Sequence, residues 1–232
     1  RRLAGRGDLE ELLLDETQVT DAGLAELLDS REMRVLGLFG TGLTDEGMEV
    51  IGRFRHLATL DIGGTFITPE GLGEIAGLEE LEELYLDETE IGDEGMNIVR
   101  KLPALRALGL VGTRVTDMGI RQLSGLVKLE RLDLGSTDVS DAGIALLSRF
   151  RELRFIGLSD TAITDKGLNP LKNLVRLENI DVSLTRVSEP VMEQFQDAVP
   201  GCLVRSSSIV LAEMGADVRR AEDGTVTEVL FE

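Results

Sequence analysis

Three sets of residues in this sequence have the types and spacing that chemistry needs. Threonine recurs at 17, 41, 65, 89, 113, 137, 161 and 185, a row of hydroxyls that would be nucleophiles if a base stood beside them. Thr20-Asp21, Thr44-Asp45, Thr116-Asp117, Ser140-Asp141 and Thr164-Asp165 set carboxylates in a second row that looks like a string of cation ligands. Adjacent acids such as Asp87 and Glu88 are the residue types for general acid/base work. Each set lacks its complement. The sole histidine, His56, falls in a return loop, and the sole cysteine, Cys202, permits neither an internal disulfide framework nor a cysteine-based zinc site. Gly63-Gly64 does not lead to the Lys-Ser/Thr of a phosphate loop, and neither H-E-x-x-H nor a nucleophile elbow occurs. Asp87 and Glu88 are expected in an open turn, where nothing in the sequence would raise a carboxyl pKa. The reading is a non-enzyme, with no catalytic residue, no cofactor and no metal site.

The spacing itself carries more information. The stretch Leu105 to Leu123 holds apolar residues at Leu105, Leu108, Leu110, Val115, Ile120 and Leu123, a period that changes from strand-like to helix-like within one segment. Moved along the chain in steps of 24, it falls without insertion on units starting at Leu9, Met33, Leu57, Leu81, Leu105, Leu129, Leu153 and Leu177. A period of this size means stacked coils, each touching its neighbours. Pairs such as Leu12 and Leu14, Leu84 and Leu86, and Leu132 and Leu134, with the T-D-x-G-[LMI] run that follows, give the sequence its likeness. It resembles the leucine-rich repeat family, in the type seen in bacterial and F-box-associated repeats. The resemblance implies an α/β solenoid, right-handed and open as a horseshoe or arc. Its parallel β-sheet would line the concave face and short helices the convex one.

Within a unit, the counterparts of Leu105, Leu108 and Leu110 should point into the coil and the residues between them outward. The Thr row is read as structural, with hydroxyls serving backbone groups where each strand bends. Thr or Ser before the Asp is the expected helix N-cap, because Thr68-Pro69 puts Pro where the first helical residue belongs. The Asp then faces the positive end of a helix of about two turns, and capping accounts for the whole Asp row. Gly at 23, 47, 71, 95, 119, 143 and 167 keeps the helix start thin, and Val191 breaks that row.

The outward strand positions are free of core duty, so they locate function. Of 24 such positions, seven are acidic (Glu11, Asp15, Asp61, Glu83, Asp87, Asp133 and Asp181) and one, Arg131, is basic. Seven are apolar (Leu13, Val35, Phe39, Tyr85, Ala107, Val111 and Phe155), which places three of the chain's eight aromatics on one face. Aromatic anchors with a charged surround are the composition of a contact surface. The expected function is protein or peptide recognition on the concave face, through Val35, Phe39, Asp61, Glu83, Tyr85, Asp87, Val111, Asp133 and Phe155. Two rival readings are a substrate-recognition adaptor of a ubiquitin-ligase-like complex and a cation- or small-ligand-binding domain using the acidic turns.

Composition narrows the partner. Acidic residues outnumber basic ones 43 to 24, a net charge of −19, which opposes nucleic acid and anionic membranes and favours a basic or mixed-charge protein. No apolar run approaches the ~20 residues of a membrane-spanning helix, no secretion signal is evident, and one cysteine suits a reducing compartment, so a cytoplasmic setting is favoured. Leu3 falls where the helix of a preceding repeat would put its apolar residue, so the chain is expected to begin inside a repeat. An open first coil near Leu9 to Leu14 invites self-association. The solenoid is expected over residues 1–205, with Cys202 to Val204 as one more strand. Residues 206–232 are read as a helix at about 209–214 and a β-hairpin turning at Glu222-Asp223-Gly224, forming either a C-terminal cap or the start of a further array.

Overall fold

The computed structural model describes residues 7–207 and, as backbone, the strands Ala216–Arg220 and Val226–Phe231. Nine three-residue strands pair in chain order in one parallel sheet. They are β1 (Glu11–Leu13), β2 (Val35–Gly37), β3 (Thr59–Asp61), β4 (Glu83–Tyr85), β5 (Ala107–Gly109), β6 (Arg131–Asp133), β7 (Phe155–Gly157), β8 (Asn179–Asp181) and β9 (Leu203–Arg205). Leu12 lies opposite Leu36, Leu108 opposite Leu132, and Ile180 opposite Val204, so the sequence period sets the sheet register unbroken. The ninth strand is the one expected beside Cys202, which is buried.

Each strand ends in the same turn. The residue before the recurring Thr has a left-handed backbone in every coil: Glu16, Gly40, Gly64, Glu88, Gly112, Ser136, Asp160 and Leu184, with φ between 52 and 67°. Three are Gly, the residue that adopts this conformation without steric cost. Their N–H groups point along the stack: Gly40 donates to the Gly63 carbonyl at 2.8 Å, Gly64 to Asp87 at 2.7 Å and Glu88 to Val111 at 2.7 Å. At the end of the row the Ser207 hydroxyl takes over the carbonyl's place, accepting from the Leu184 N–H at 2.7 Å. The Thr hydroxyl works inside its own coil. In all eight repeats Oγ1 donates to the carbonyl three residues earlier, at 2.6 to 2.8 Å, satisfying an acceptor that the bend leaves open.

The return segments carry the helices α1 (Asp21–Leu24), α2 (Asp45–Ile51), α3 (Pro69–Leu72), α4 (Asp93–Val99), α5 (Asp117–Gln122), α6 (Asp141–Leu147), α7 (Asp165–Leu168) and α8 (Glu189–Ala198). Their N-caps are Thr, Ser or Gly92, as expected, and at Thr44, Thr68, Thr116, Ser140 and Thr164 the hydroxyl accepts an N–H of the first turn. Alternate coils differ. α2, α4 and α6 run seven residues without interruption. α1, α3, α5 and α7 shorten and continue as 3-10 turns ending at Leu27, Gly77, Gly125 and Asn173. Gly73, Gly77, Gly125 and Pro170, all poor formers of an α-helix interior, sit in the interrupted coils. Both kinds of coil close on a buried apolar residue, Phe54, Leu102 and Phe150 in the uninterrupted ones and Leu78, Leu126 and Leu174 in the interrupted ones.

Leu, Ile and Val from strand, turn and helix fill one continuous core from Leu24 to Val204. In the first described coil Leu9, Leu12 and Leu14 are only partly buried, whereas their counterparts Met33, Leu36 and Leu38 are fully buried. Beyond the sheet, β10 (Ala216–Arg220) and β11 (Val226–Phe231) pair antiparallel, Val218 opposite Val229. The helix expected at about 209–214 and the turn at 222–224 lie outside the described residues.

Candidate functional site

Strand alternation sends the first and third residue of each strand to the face opposite the core, and a third column follows just past the strand end. All nine expected contact residues, Val35, Phe39, Asp61, Glu83, Tyr85, Asp87, Val111, Asp133 and Phe155, stand on this face and keep part of their surface open. Phe39, Asp87 and Val111 belong to the third column and so sit in the turn rather than the strand. Ala107 departs from expectation: it faces outward yet is buried, 3 % exposed, at the bottom of a depression walled by larger side chains from the flanking strands.

Glycine explains how those side chains lie. The column holding Tyr85 reads Leu13, Gly37, Asp61, Tyr85, Gly109, Asp133, Gly157, Asp181. A Cβ on Gly109 would meet Tyr85 Cδ1 at 2.9 Å and Asp87 Oδ2 at 2.8 Å. One on Gly157 would meet Asp133 Oδ1 at 2.1 Å, and one on Gly37 the Asp15 carboxylate at 2.8 Å. Tyr85, Asp87, Asp133 and Asp15 therefore lean onto the next strand, where a missing side chain is their seat. The Tyr85 ring is further fixed by its hydroxyl, which donates to Glu83 Oε2 at 3.0 Å.

The acids of this face are held as well as displayed. Asp87 Oδ1 accepts the Val111 N–H of the next coil at 2.6 Å, and Asp15 does the same for Phe39 at 2.9 Å. Asp61 and Asp133 accept from Gly63 and Gly135 in their own turns at 3.0 and 3.1 Å. Burial among like charges outweighs these bonds. Asp87 is pushed up to about 6, chiefly by desolvation and then by Asp133, Asp61 and Glu88. Asp61 and Asp133 are raised for the same first reason. Burial and the bond to Glu83 lift the Tyr85 phenol to about 12. The expectation that nothing would perturb Asp87 is thus corrected, because its turn is covered by Tyr85 and the neighbouring acids.

The small outward residues of β5 leave a depression of ≈ 60 Å³. Ala107, Leu108 and Gly109 form its floor, Tyr85 and Asp87 stand on one side, and Arg131, Asp133 and Phe155 on the other. The Arg131 guanidinium lies over the Phe155 ring at 4.9 Å from its centre.

The aspartates at the helix starts also serve a role beyond the expected dipole contact. Asp45 accepts from both the N–H and the hydroxyl of Thr68, at 2.8 and 2.6 Å, and so joins adjacent coils. The same pair of hydrogen bonds links Asp21 to Thr44, Asp93 to Thr116, Asp117 to Ser140, Asp141 to Thr164, and Asp165 to Ser188. The Gly row makes room for it: a Cβ on Gly71 would stand 2.1 Å from Asp45 Oδ1 and one on Gly143 2.2 Å from Asp117 Oδ1. One rung is missing, where Pro69 replaces the acceptor and Gly92 lacks the hydroxyl donor. Capping alone was expected to explain the Asp row, and this joint loss in consecutive repeats is the sequence signal that pointed past it. Among the described residues no group of three or more His, Cys, Asp or Glu is placed to hold a metal ion.

A parallel strand in every coil, a hydroxyl-closed turn and a short helix on the far side define a leucine-rich repeat solenoid. Residues 126–148 match the family model described as Leucine Rich repeat. The crystal structure of internalin C2 from Listeria monocytogenes superposes with a TM-score of 0.70 at 23% identity, covering 86% of this chain and 82% of that one. That of a TDR receptor gives a TM-score of 0.63 at 16% identity, covering 86% of this chain but only 34% of that one. No curated protein matches. Among the described residues no helix is long and apolar enough to cross a membrane.

Proposed function

We propose that the chain is a non-enzymatic recognition module that holds a protein or peptide segment against its strand face. Phe39, Tyr85, Val111 and Phe155 would be the apolar contacts, and Asp61, Glu83, Asp87 and Asp133 the electrostatic surround. The observation that carries this reading is that the large outward side chains are seated rather than free. Tyr85 is braced over Gly109 and bonded to Glu83, so little rotamer entropy remains to be lost when a partner arrives. Strands one step apart are separated by about 4.8 Å, so an extended segment crossing the sheet meets the outward residues of a new strand at every step. The acidic bias favours a basic or mixed-charge partner, with steering that salt would weaken.

Selection of displayed random peptides on the immobilised chain tests the proposal. Peptides so recovered should lose on the order of tenfold or more in affinity for the Tyr85→Ala/Phe155→Ala variant, and little for Arg121→Ala/Lys128→Ala, which alters exposed residues away from the strand face. Loss on the second variant and not the first would move the site off the strand face.

A further inference from the structure

The depression over β5 has a more specific chemistry than the rest of the face. Its floor is made by the two smallest outward side chains available, Ala107 and Gly109, and the rings of Tyr85 and Phe155 stand on either side. Its volume of ≈ 60 Å³ leaves room for a charged head group. The rings and carboxylates of the lining favour a cation, and Arg131 alone opposes one. Ring faces attract positive charge, and Phe155 already holds a guanidinium, that of Arg131, at 4.9 Å. Two carboxylates, Asp87 and Asp133, against one Arg131 leave the lining with a net negative charge, and Glu83 and Asp61 add to the field at Tyr85.

Resting on the reading of the strand face as a peptide-binding surface, we propose that this depression is the seat of a Lys or Arg side chain from an extended basic segment of a partner protein. The charged head enters between the Tyr85 and Phe155 rings and is paired by Asp87 and Asp133. Arg131 acts as the resident competitor: it neutralises part of the charge when the seat is empty and limits affinity when a ligand cation comes in. Capture weakens in mild acid, because Asp87, facing Asp133, Asp61, Glu88 and the Tyr85 ring, takes up a proton near pH 6.

The test is an amide chemical-shift titration of the full chain with three probes: acetyl-Gly-Lys-Gly-amide, its Arg counterpart, and the neutral citrulline counterpart. Saturable shifts at the amides of Tyr85, Ala107, Gly109 and Phe155 are expected with the two cations and not with citrulline. Asp87→Asn and Phe155→Ala should each weaken the cations on the order of tenfold, or about 1.4 kcal/mol. Arg131→Gln should tighten them, whereas a seat for an anionic group would lose affinity with the same change. Equal shifts with citrulline, shifts scattered over the acidic surface, or weaker cation binding in Arg131→Gln would overturn the seat. Peptides that bind the strand face without a basic residue, together with silent probes, would sink the cation seat and leave the proposed function standing. Cations seated as described, beside peptides lost only on the Arg121/Lys128 variant, would do the reverse.

Discussion

The Asp117 carboxylate reaches across a coil boundary to accept both the backbone N–H and the hydroxyl of Ser140, at 2.8 and 2.6 Å. Asp117→Ala leaves that half-buried pair without its acceptor, and hydrogen bonds to a charged group contribute about 1.5–3 kcal/mol. Urea unfolding should show a loss of about 2 kcal/mol. A variant as stable as the parent would reduce the rung to a surface contact.

The missing rung between the third and fourth coils offers the reciprocal experiment. Gly95 keeps the vacant seat, and Gly92 is in an extended conformation that Thr adopts readily. Pro69→Asp and Gly92→Thr should show a favourable coupling of about 1 kcal/mol in a double-mutant cycle, since the carboxylate alone can accept only the backbone N–H of Gly92 and the hydroxyl bond needs both changes. Strict additivity would refute the coupling.

Two glycines of similar sequence context should respond in opposite directions. A Cβ on Gly143 would stand 2.2 Å from Asp117 Oδ1, whereas one on Gly125 meets nothing within 4 Å. Gly143→Ala should cost about 2 kcal/mol or more by overpacking. Gly125→Ala should be neutral or stabilise by about 0.4–1 kcal/mol, because its backbone is already in a range that Ala accepts. Thermal melts of the two variants decide it.

Acid should relieve the strand face. Asp87 is near 6 in the folded chain, above the ~3.9 of an unfolded aspartate, so the folded state binds the extra proton. The stability this group contributes is complete below about pH 4 and is lost as pH rises through about 6. Asp87→Asn, which keeps an acceptor for the Val111 N–H, should therefore stabilise the chain at pH 7 by on the order of 1–2 kcal/mol, after discounting for solvent screening of a partly open group. The gain should vanish near pH 4. A variant less stable than the parent at pH 7 would mean that the charge of Asp87 is needed by Val111 more than burial penalises it.

At the first coil, the Leu14 N–H bonds the Gly37 carbonyl at 2.8 Å much as the Leu110 N–H bonds Asp133 at 2.9 Å, but Leu14 is only partly buried and Leu110 fully. Amide exchange at Leu14 should be faster by orders of magnitude, since local opening there exposes less apolar surface. Equal protection would show that something else covers the first coil.

By itself the sequence determined which residues are equivalent. A period of 24, unbroken from Leu9 to Leu177, fixed the strands, the Thr turn, the N-caps and the outward columns, because strand alternation and capping are local rules that each coil obeys separately. Tertiary structure decided what passes between coils. That Asp45 bonds Thr68 rather than only its own helix, that Gly109 is the seat of Tyr85, and that Ala107 is a floor rather than a contact all depend on how far one coil is offset from the next and which way its side chains lean. The elevated carboxyl of Asp87 has the same origin, since burial raises it first, and the charges of Asp133 and Asp61 from other coils add to that of the adjacent Glu88.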